Sequence, residues 1–254
     1  MRTTAIMNLK GGTGKTVTAI NLAAILAQDH AQRVLLVDAD SQANLTEFVL
    51  WSPPDKCTPG GFADLLRGME AHPLPTKISR ASVLHADETL MALDVTSAGT
   101  GASDPMALSD WLSTQTAWDW CVIDCPPAFS AGAAAALIAA DEVVIPLKLD
   151  AFGMRGLANL LAQIRNMRKL NAGLEIAGVL PTMFYPCEEQ KKAEATLRSA
   201  LEGTGIRLFP HITRSPKVDD MTFSQLPIID LSPRCKPARE YRAFVGALLE
   251  GGAG

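Results

Sequence analysis

The sequence predicts an α/β fold, a mostly parallel twisted sheet with helices on both faces, and three observations predict it. Short apolar runs of the kind that fill strands buried on both faces alternate with longer helical patterns. A glycine-rich turn, Gly11 to Gly14, separates the first run from the first helical pattern. Two later runs close on acids, Asp38 and Asp124, at the strand ends where such sheets bind ligands.

In chain order, strands are expected at Thr3–Leu9, Arg33–Asp38, Trp120–Asp124, Glu142–Leu147, Glu175–Leu180 and Leu226–Ile229. The intervening patterns predict helices over Lys15–Gln28, Met106–Thr114, Ser130–Ala140, Met154–Leu170, Cys187–Leu201 and Arg239–Leu249. From Trp51 to Trp118 the periodicity is less regular. A turn-rich SPPDKCTPGG, a short amphipathic FADLLRGM and a small-residue SAGTGAS stretch precede the helix at Met106. With too little apolar periodicity for a second core, residues 51–118 read as an elaboration within a single domain spanning 1–254.

Composition narrows the function classes. At 254 residues, with 48% hydrophobic and 20% charged side chains, the chain can bury a core, which excludes disorder and a disulfide-stapled miniprotein. The formal net charge of −4 gives no general electrostatic footprint for nucleic acid, so any such contact has to be a local patch. Five cysteines, Cys57, Cys121, Cys125, Cys187 and Cys235, lack C-x2-C spacing and read as reduced thiols of a cytoplasmic protein. The opening MRTTAIMNL lacks the charged region and long apolar core of a signal peptide. Ala131–Ala140, the most apolar later stretch, is about half the ~20 residues a membrane span needs and reads as a buried helix.

Chemistry enters at Lys10 to Thr16, K-G-G-T-G-K-T. Glycines without side chains let successive backbone N–H groups converge on phosphate oxygens, and the helix N-terminus adds partial positive charge. In a cradle built from Lys10, Gly11, Gly12, Thr13, Gly14, Lys15, Thr16 and Val17, Lys15 reaches the β- and γ-phosphates and the Thr16 hydroxyl ligates Mg²⁺. The predicted fold is then a P-loop NTPase, although G-x-x-x-x-G-K-[ST] requires glycine at position 9 and the chain has Leu9. The second strand ends in Asp38-Ala39-Asp40, whose carboxylates share a face if the strand runs that far. Alone, such acids are as often solvated loop residues. WDWCVID, followed after Cys125 by Pro126 and Pro127, has the form of a strand whose terminal acid, Asp124, holds a Mg²⁺-bound water. Cys121 and Cys125 beside it read as small buried hydrophobes.

Asn8 through Thr16 resembles N-x-K-G-G-x-G-K-T, the deviant Walker A motif of the ParA/Soj partition ATPases. Asp38, Asp40 and Gln42 are similar to that family's D-x-D-x-Q stretch, with Ser41 where a proline is frequent. Asp124, Pro126 and Pro127 resemble its D-x-P-P stretch, and AADEVVIPLKLDAFGMRGLANLL continues the likeness. The resemblance implies ATP with Mg²⁺, Asp40 orienting or deprotonating the attacking water, and Asp38 supporting the Mg²⁺ shell. It also implies that Lys10 acts like an arginine finger, crossing a dimer interface to the partner's ATP, where a cation can be worth ~10³–10⁵ in rate. The implied catalytic residues are Lys10, Lys15 and Asp40, and the implied metal set is Thr16, Asp38 and Asp124. Such a protein is a switch: ATP joins two subunits, the homodimer binds DNA non-specifically, and a ParB-like partner stimulates weak hydrolysis. It is cytoplasmic, and nucleoid-associated in its ATP state.

Beyond Gly178 the match is partial. HITRSPKVDDM resembles the family loop I-P-R-N-V-R-L-S-E-A through Ile212 and Arg214. However, Thr213 replaces a proline, Lys217 an arginine, and Cys187 stands at one usual arginine position. Over Arg207–Arg242 seven Lys/Arg stand against four Asp/Glu. Arg214, Lys217, Arg234, Lys236, Arg239 and Arg242 are the candidate contacts to a duplex backbone, in a sequence-independent and salt-sensitive mode. The same run also fits a solvated mixed-charge surface, and Gln163–Lys169 either enlarges the patch or is the wet face of a helix. A MinD-like membrane-cycling ATPase would share every phosphate-site residue but needs a terminal amphipathic basic helix. REYRAFVGALLEGGAG has one short apolar face, so no stable membrane anchor is expected. An iron–sulfur reductase or small-molecule ligase on the same scaffold would need cysteines or a substrate pocket that the sequence does not identify.

Overall fold

The computed structural model describes residues 1–52, 54, 58–96 and 103–251. Its elements run β1 (Arg2–Ile6), α1 (Lys15–Gln28), β2 (Val34–Asp38), α2 (Asn44–Val49), α3 (Phe62–Leu66), β3 (Leu74–Pro75), β4 (Ala81–Leu84), α4 (Thr89–Thr96), α5 (Ala107–Ser113), β5 (Trp120–Asp124), α6 (Ala131–Ala139) and β6 (Glu142–Lys148). They continue with α7 (Ala151–Met167), β7 (Glu175–Thr182), α8 (Glu188–Leu201), β8 (Arg207–Leu208), α9 (Pro216–Ser224), α10 (Ile228–Leu231) and α11 (Lys236–Glu250). Among the described residues the strands form an eight-stranded sheet ordered β3-β4-β2-β5-β1-β6-β7-β8, parallel except for the β3–β4 pair.

The apolar runs lack polar alternation because both faces of the sheet are covered. Along β2, Leu35 and Val37 enter one core and Val34 and Leu36 the other. Along β5, Cys121 and Ile123 alternate in the same way with Trp120 and Val122. Helices α3 to α8 close the first core with side chains such as Phe62, Leu108, Leu137 and Leu160. Helices α1, α2 and α9 to α11 close the second through Ile20, Phe48, Met221 and Phe244.

Several boundaries differ from expectation, each for a local reason. β1 stops at Ile6 rather than Leu9, because Asn8 turns inward: its Nδ2 donates to the Pro146 carbonyl (2.7 Å) and its Oδ1 accepts the Lys10 N–H (2.9 Å). α7 starts at Ala151 rather than Met154, since Asp150 caps it by accepting the Gly153 N–H (2.8 Å). No strand forms at Leu226–Ile229. Pro227 has no N–H to donate to a ladder, and Ile228 gives its own N–H to Asn21 Oδ1 (2.9 Å) and opens α10 instead. The sheet ends on β8, two residues long and too short to leave a pattern. The irregular interval adds β3 and β4 at the other edge. Cys57 and most of SAGTGAS lie outside the described residues, while Cys121 and Cys125 are free and fully buried. No described helix is long and apolar enough to cross a membrane.

Gly178 lets β8 approach β7: a Cβ there would stand 2.6 Å from both the Arg207 carbonyl oxygen and the Phe209 ring. Gly178→Ala is expected to lower unfolding stability by about 1–3 kcal/mol, the usual cost of overpacking, as read from a urea midpoint shift at unchanged slope.

Candidate functional site

Between β1 and α1 the backbone enters the left-handed region at Gly12 (φ 68°) and Gly14 (φ 83°), where a side chain is strained. The loop is fixed from outside by Asn8, and by Thr182, whose hydroxyl donates to the Thr13 carbonyl (2.8 Å). Gly14 is the N-cap of α1 and brings no side chain to the helix end, so the first-turn amides remain available to an anion. They open onto a cavity of about 550 Å³ lined by Gly11 to Val17 together with Asp40, Gln42 and Pro127. Lys15 is buried beside it and donates to the Lys10 carbonyl (3.3 Å). Burial lowers the Lys15 pKa, and the neighbouring Asp124, Cys125 and Asp40 oppose that shift. A second cavity of about 300 Å³ adjoins Gly14 between Thr182, Met183, Thr213, Ser215 and Tyr241.

Asp38 and Asp124 are register partners at the ends of adjacent strands, and both are essentially inaccessible (0% and 1%). Thr46, at the start of α2, holds Asp38 Oδ2 with its N–H (2.9 Å) and its hydroxyl (2.7 Å), and Oδ1 accepts the Asp40 N–H (3.2 Å). Burial still pushes the Asp38 carboxyl up to about 6 against those bonds. Burial and the Asp38 charge raise Asp124 well above the carboxylate range, opposed by the Thr16 hydroxyl and the Lys15 ammonium. Asp124 Oδ1 is buried and has no hydrogen-bond partner among the described residues. Two desolvated carboxylates, one with a bare oxygen, fit a hard divalent cation. Among the described residues no cluster of three or more His, Cys, Asp or Glu surrounds the pair, which leaves hydroxyl, water and substrate oxygens to fill out the shell of such an ion.

Asp40 does not share a strand face with Asp38, because β2 ends at Asp38. It enters the cavity from a turn in which its Oδ1 accepts the Gln42 N–H (3.0 Å) and its carbonyl the Ala43 N–H (2.9 Å). Lys10, although part of the glycine loop, points away from it: Nζ donates to both oxygens of Asp150 (2.8 and 2.9 Å) and lies 5.6 Å from the Phe152 ring centre. Lys148 Nζ is 3.4 Å from the same carboxylate. Partial burial acts to raise Asp150, but the Lys10 hydrogen bond and the Gly153 N–H hold it down at about 2. Sequence reasoning missed Asp150, whose one signal was an aspartate just ahead of a helical pattern. It also missed Thr46, which carried none.

The six cations proposed for nucleic acid are not gathered into one free surface. Lys217 pairs with Asp220 (3.0 Å), Lys236 with Glu240 (3.7 Å) and Arg242 with Asp29 (2.7 Å). Arg214, Arg234 and Arg239 are exposed and make no ion pair among the described residues. Glu240 also accepts the Thr213 N–H and hydroxyl (both 2.7 Å), which ties the loop carrying Arg214 to the start of α11.

Fold and site together define a P-loop protein with two acids buried beside its glycine turn. A family model described as an AAA domain matches residues 1–176. The chromosome-partitioning ATPase Soj of Thermus thermophilus is 37% identical over 185 residues, 72% of this chain and 70% of the relative. The chromosome partitioning protein ParA of Caulobacter vibrioides is 36% identical over 191 residues, with the same shares. Among solved structures, the ATP complex of a McdA variant from Cyanothece has a TM-score of 0.84 at 26% identity, covering 100% of this chain and 97% of the other. Cobyrinic acid a,c-diamide synthase from Mycobacterium smegmatis, with bound ADP and magnesium, reaches 0.82 at 27% identity, covering 99% and 95%. The chain therefore belongs to the ParA/Soj-type family of partition ATPases.

Thr46→Val removes a hydroxyl that donates to Asp38 and accepts the Ala86 N–H (3.0 Å), both in the core. The expected result is a loss of about 1–3 kcal/mol of unfolding stability, measured in urea, as buried groups are left unpaired.

Proposed function

We propose that this chain is a Mg²⁺-dependent ATP hydrolase working as an ATP-dependent dimerisation switch, built as one domain over residues 1–254. The triphosphate lies along the amides of Gly11 to Thr16, Lys15 meets the β- and γ-phosphates, and the base enters the cavity at Thr182 and Thr213. Thr16, Asp38 and Asp124 would hold Mg²⁺, which supplies charge neutralisation at the phosphates. Asp40, at the cavity wall, orients the attacking water or accepts its proton.

The observation that carries the reading is the placement of Lys10. Its ammonium sits on Asp150 outside its own cradle, with a side chain 36% exposed, where a second copy can meet it. With that cation delivered only by a second copy, turnover in the monomer is slow and a ParB-like partner raises it by favouring the joined state. The joined copies contact duplex backbone without reading bases, through Arg214, Arg234 and Arg239 first. Lys217, Lys236 and Arg242 contribute only by exchanging their present carboxylates for phosphate. Hydrolysis separates the copies and releases the DNA, which suits positioning of a plasmid, a chromosome or another cargo. Membrane cycling is disfavoured because α11 already spends its apolar face, Tyr241, Phe244, Val245 and Leu248, on the core.

DNA retention against salt, with ATP, ADP or no nucleotide, tests this reading. Retention is expected only with ATP, to fall steeply with salt, and to vanish in Lys10→Ala; equal retention in all three nucleotide states overturns it. Asp40→Ala should accumulate an ATP-bound dimer by light scattering while ATP turnover drops by at least ~10²-fold, the usual worth of a general base. Turnover at the wild-type rate would remove Asp40 from its role.

A further inference from the structure

Asp150 is crowded by positive charge. Lys10 bonds both of its oxygens (2.8 and 2.9 Å) and Lys148 stands 3.4 Å from Oδ2. Arg155, in the same helix α7, lies 5.1 Å from the ring centre of Phe152, the exposed side chain that Lys10 also approaches. The carboxylate cannot follow Lys10 if that lysine moves. Its Oδ1 is committed to the Gly153 N–H, its own N–H donates to the Lys148 carbonyl (2.8 Å), and that carbonyl fills the space a Cβ on Gly153 would need. Asp150 and Lys148 are thus held together where β6 passes into α7, whereas Lys10 arrives from a separate loop.

The switch proposed above requires Lys10 to leave this carboxylate for the triphosphate of a second copy. Without another cation, its departure would bare a fixed negative charge on the surface that a partner's phosphates approach, and the departure would be opposed twice: by the broken ion pair and by repulsion. We infer that Lys148 is a positioning residue for dimerisation, the cation that takes over Asp150 when Lys10 crosses to the second copy. The inference rests on the dimer reading and adds a residue to it. Lys148 closes on the oxygen it already faces, the carboxylate stays compensated, and Lys10 is released at lower cost.

The test is the dimer dissociation constant, by sedimentation at saturating Mg²⁺ and a non-hydrolysable ATP analogue, for the wild type, Lys148→Ala, Lys148→Arg and each in an Asp150→Asn background. Asparagine keeps the helix cap without the charge. A partly exposed ion pair is worth about fivefold in an equilibrium constant, and a symmetric dimer uses two, so Lys148→Ala should weaken dimerisation roughly 25-fold. Lys148→Arg should recover most of it, and in Asp150→Asn the alanine substitution should have no effect. Lys148→Ala dimers as tight as wild type overturn the inference, and so does an equal loss in the Asp150→Asn background, which would mark a merely structural role. A loss of analogue affinity with unchanged dimerisation at saturation also overturns it, since Lys148 borders the second cavity and would then be a nucleotide contact. A wild-type chain that stays monomeric with the analogue defeats the dimer reading itself, and this inference with it.

Discussion

Two carboxylates taken out of water on neighbouring strands are the constraint around which this end of the molecule is organised. Parallel register sets Asp38 beside Asp124, and neither has solvent to spread its charge. Thr46 satisfies the first, while the second has the Thr16 hydroxyl and the Lys15 ammonium in its favour and, among the described residues, no hydrogen-bond partner for Oδ1. Two buried acids with one lysine near them are expensive to fold around, and a cation that binds beside them recovers part of that cost. The glycine loop, the buried lysine and the open cavity above them lie where such a group would arrive.

Much of this was legible in the amino-acid order because the chemistry is local. A glycine turn before a helix needs no tertiary knowledge to be recognised, and strands buried on both faces declare themselves by lacking polar alternation, as β2 and β5 do. What stayed hidden was decided by distant parts of the chain. Asn8 ends β1 by bonding to Pro146, and Ile228 opens a helix because Asn21 takes its amide. β8 depends on a glycine across the sheet, not on its own two residues. Asp40 would share a face with Asp38 only if β2 ran on to it; the chain leaves the strand at Asp38, and Asp40 reaches the cavity from a turn closed by Gln42 and Ala43 instead.

The charged surface was the least legible part for a related reason. Counting lysines and arginines along a segment registers their number but not their partners. Asp29 just past α1, Asp220 in α9 and Glu240 in α11 neutralise half of the six cations chosen for nucleic acid. Glu240 does so while also bonding Thr213 twice, and the loop beside the second cavity is fastened by the same acid that neutralises Lys236.

Asn21 has a comparable double duty on the opposite flank. Its amide nitrogen reaches the Val17 carbonyl within the phosphate helix, while its oxygen receives the first amide of α10. Sliding α1 alone would orphan a polar group in a dry interior, at roughly 1–3 kcal/mol. The phosphate helix and the segment around α10 are therefore coupled through one amide, and a shift of either is opposed unless the other follows.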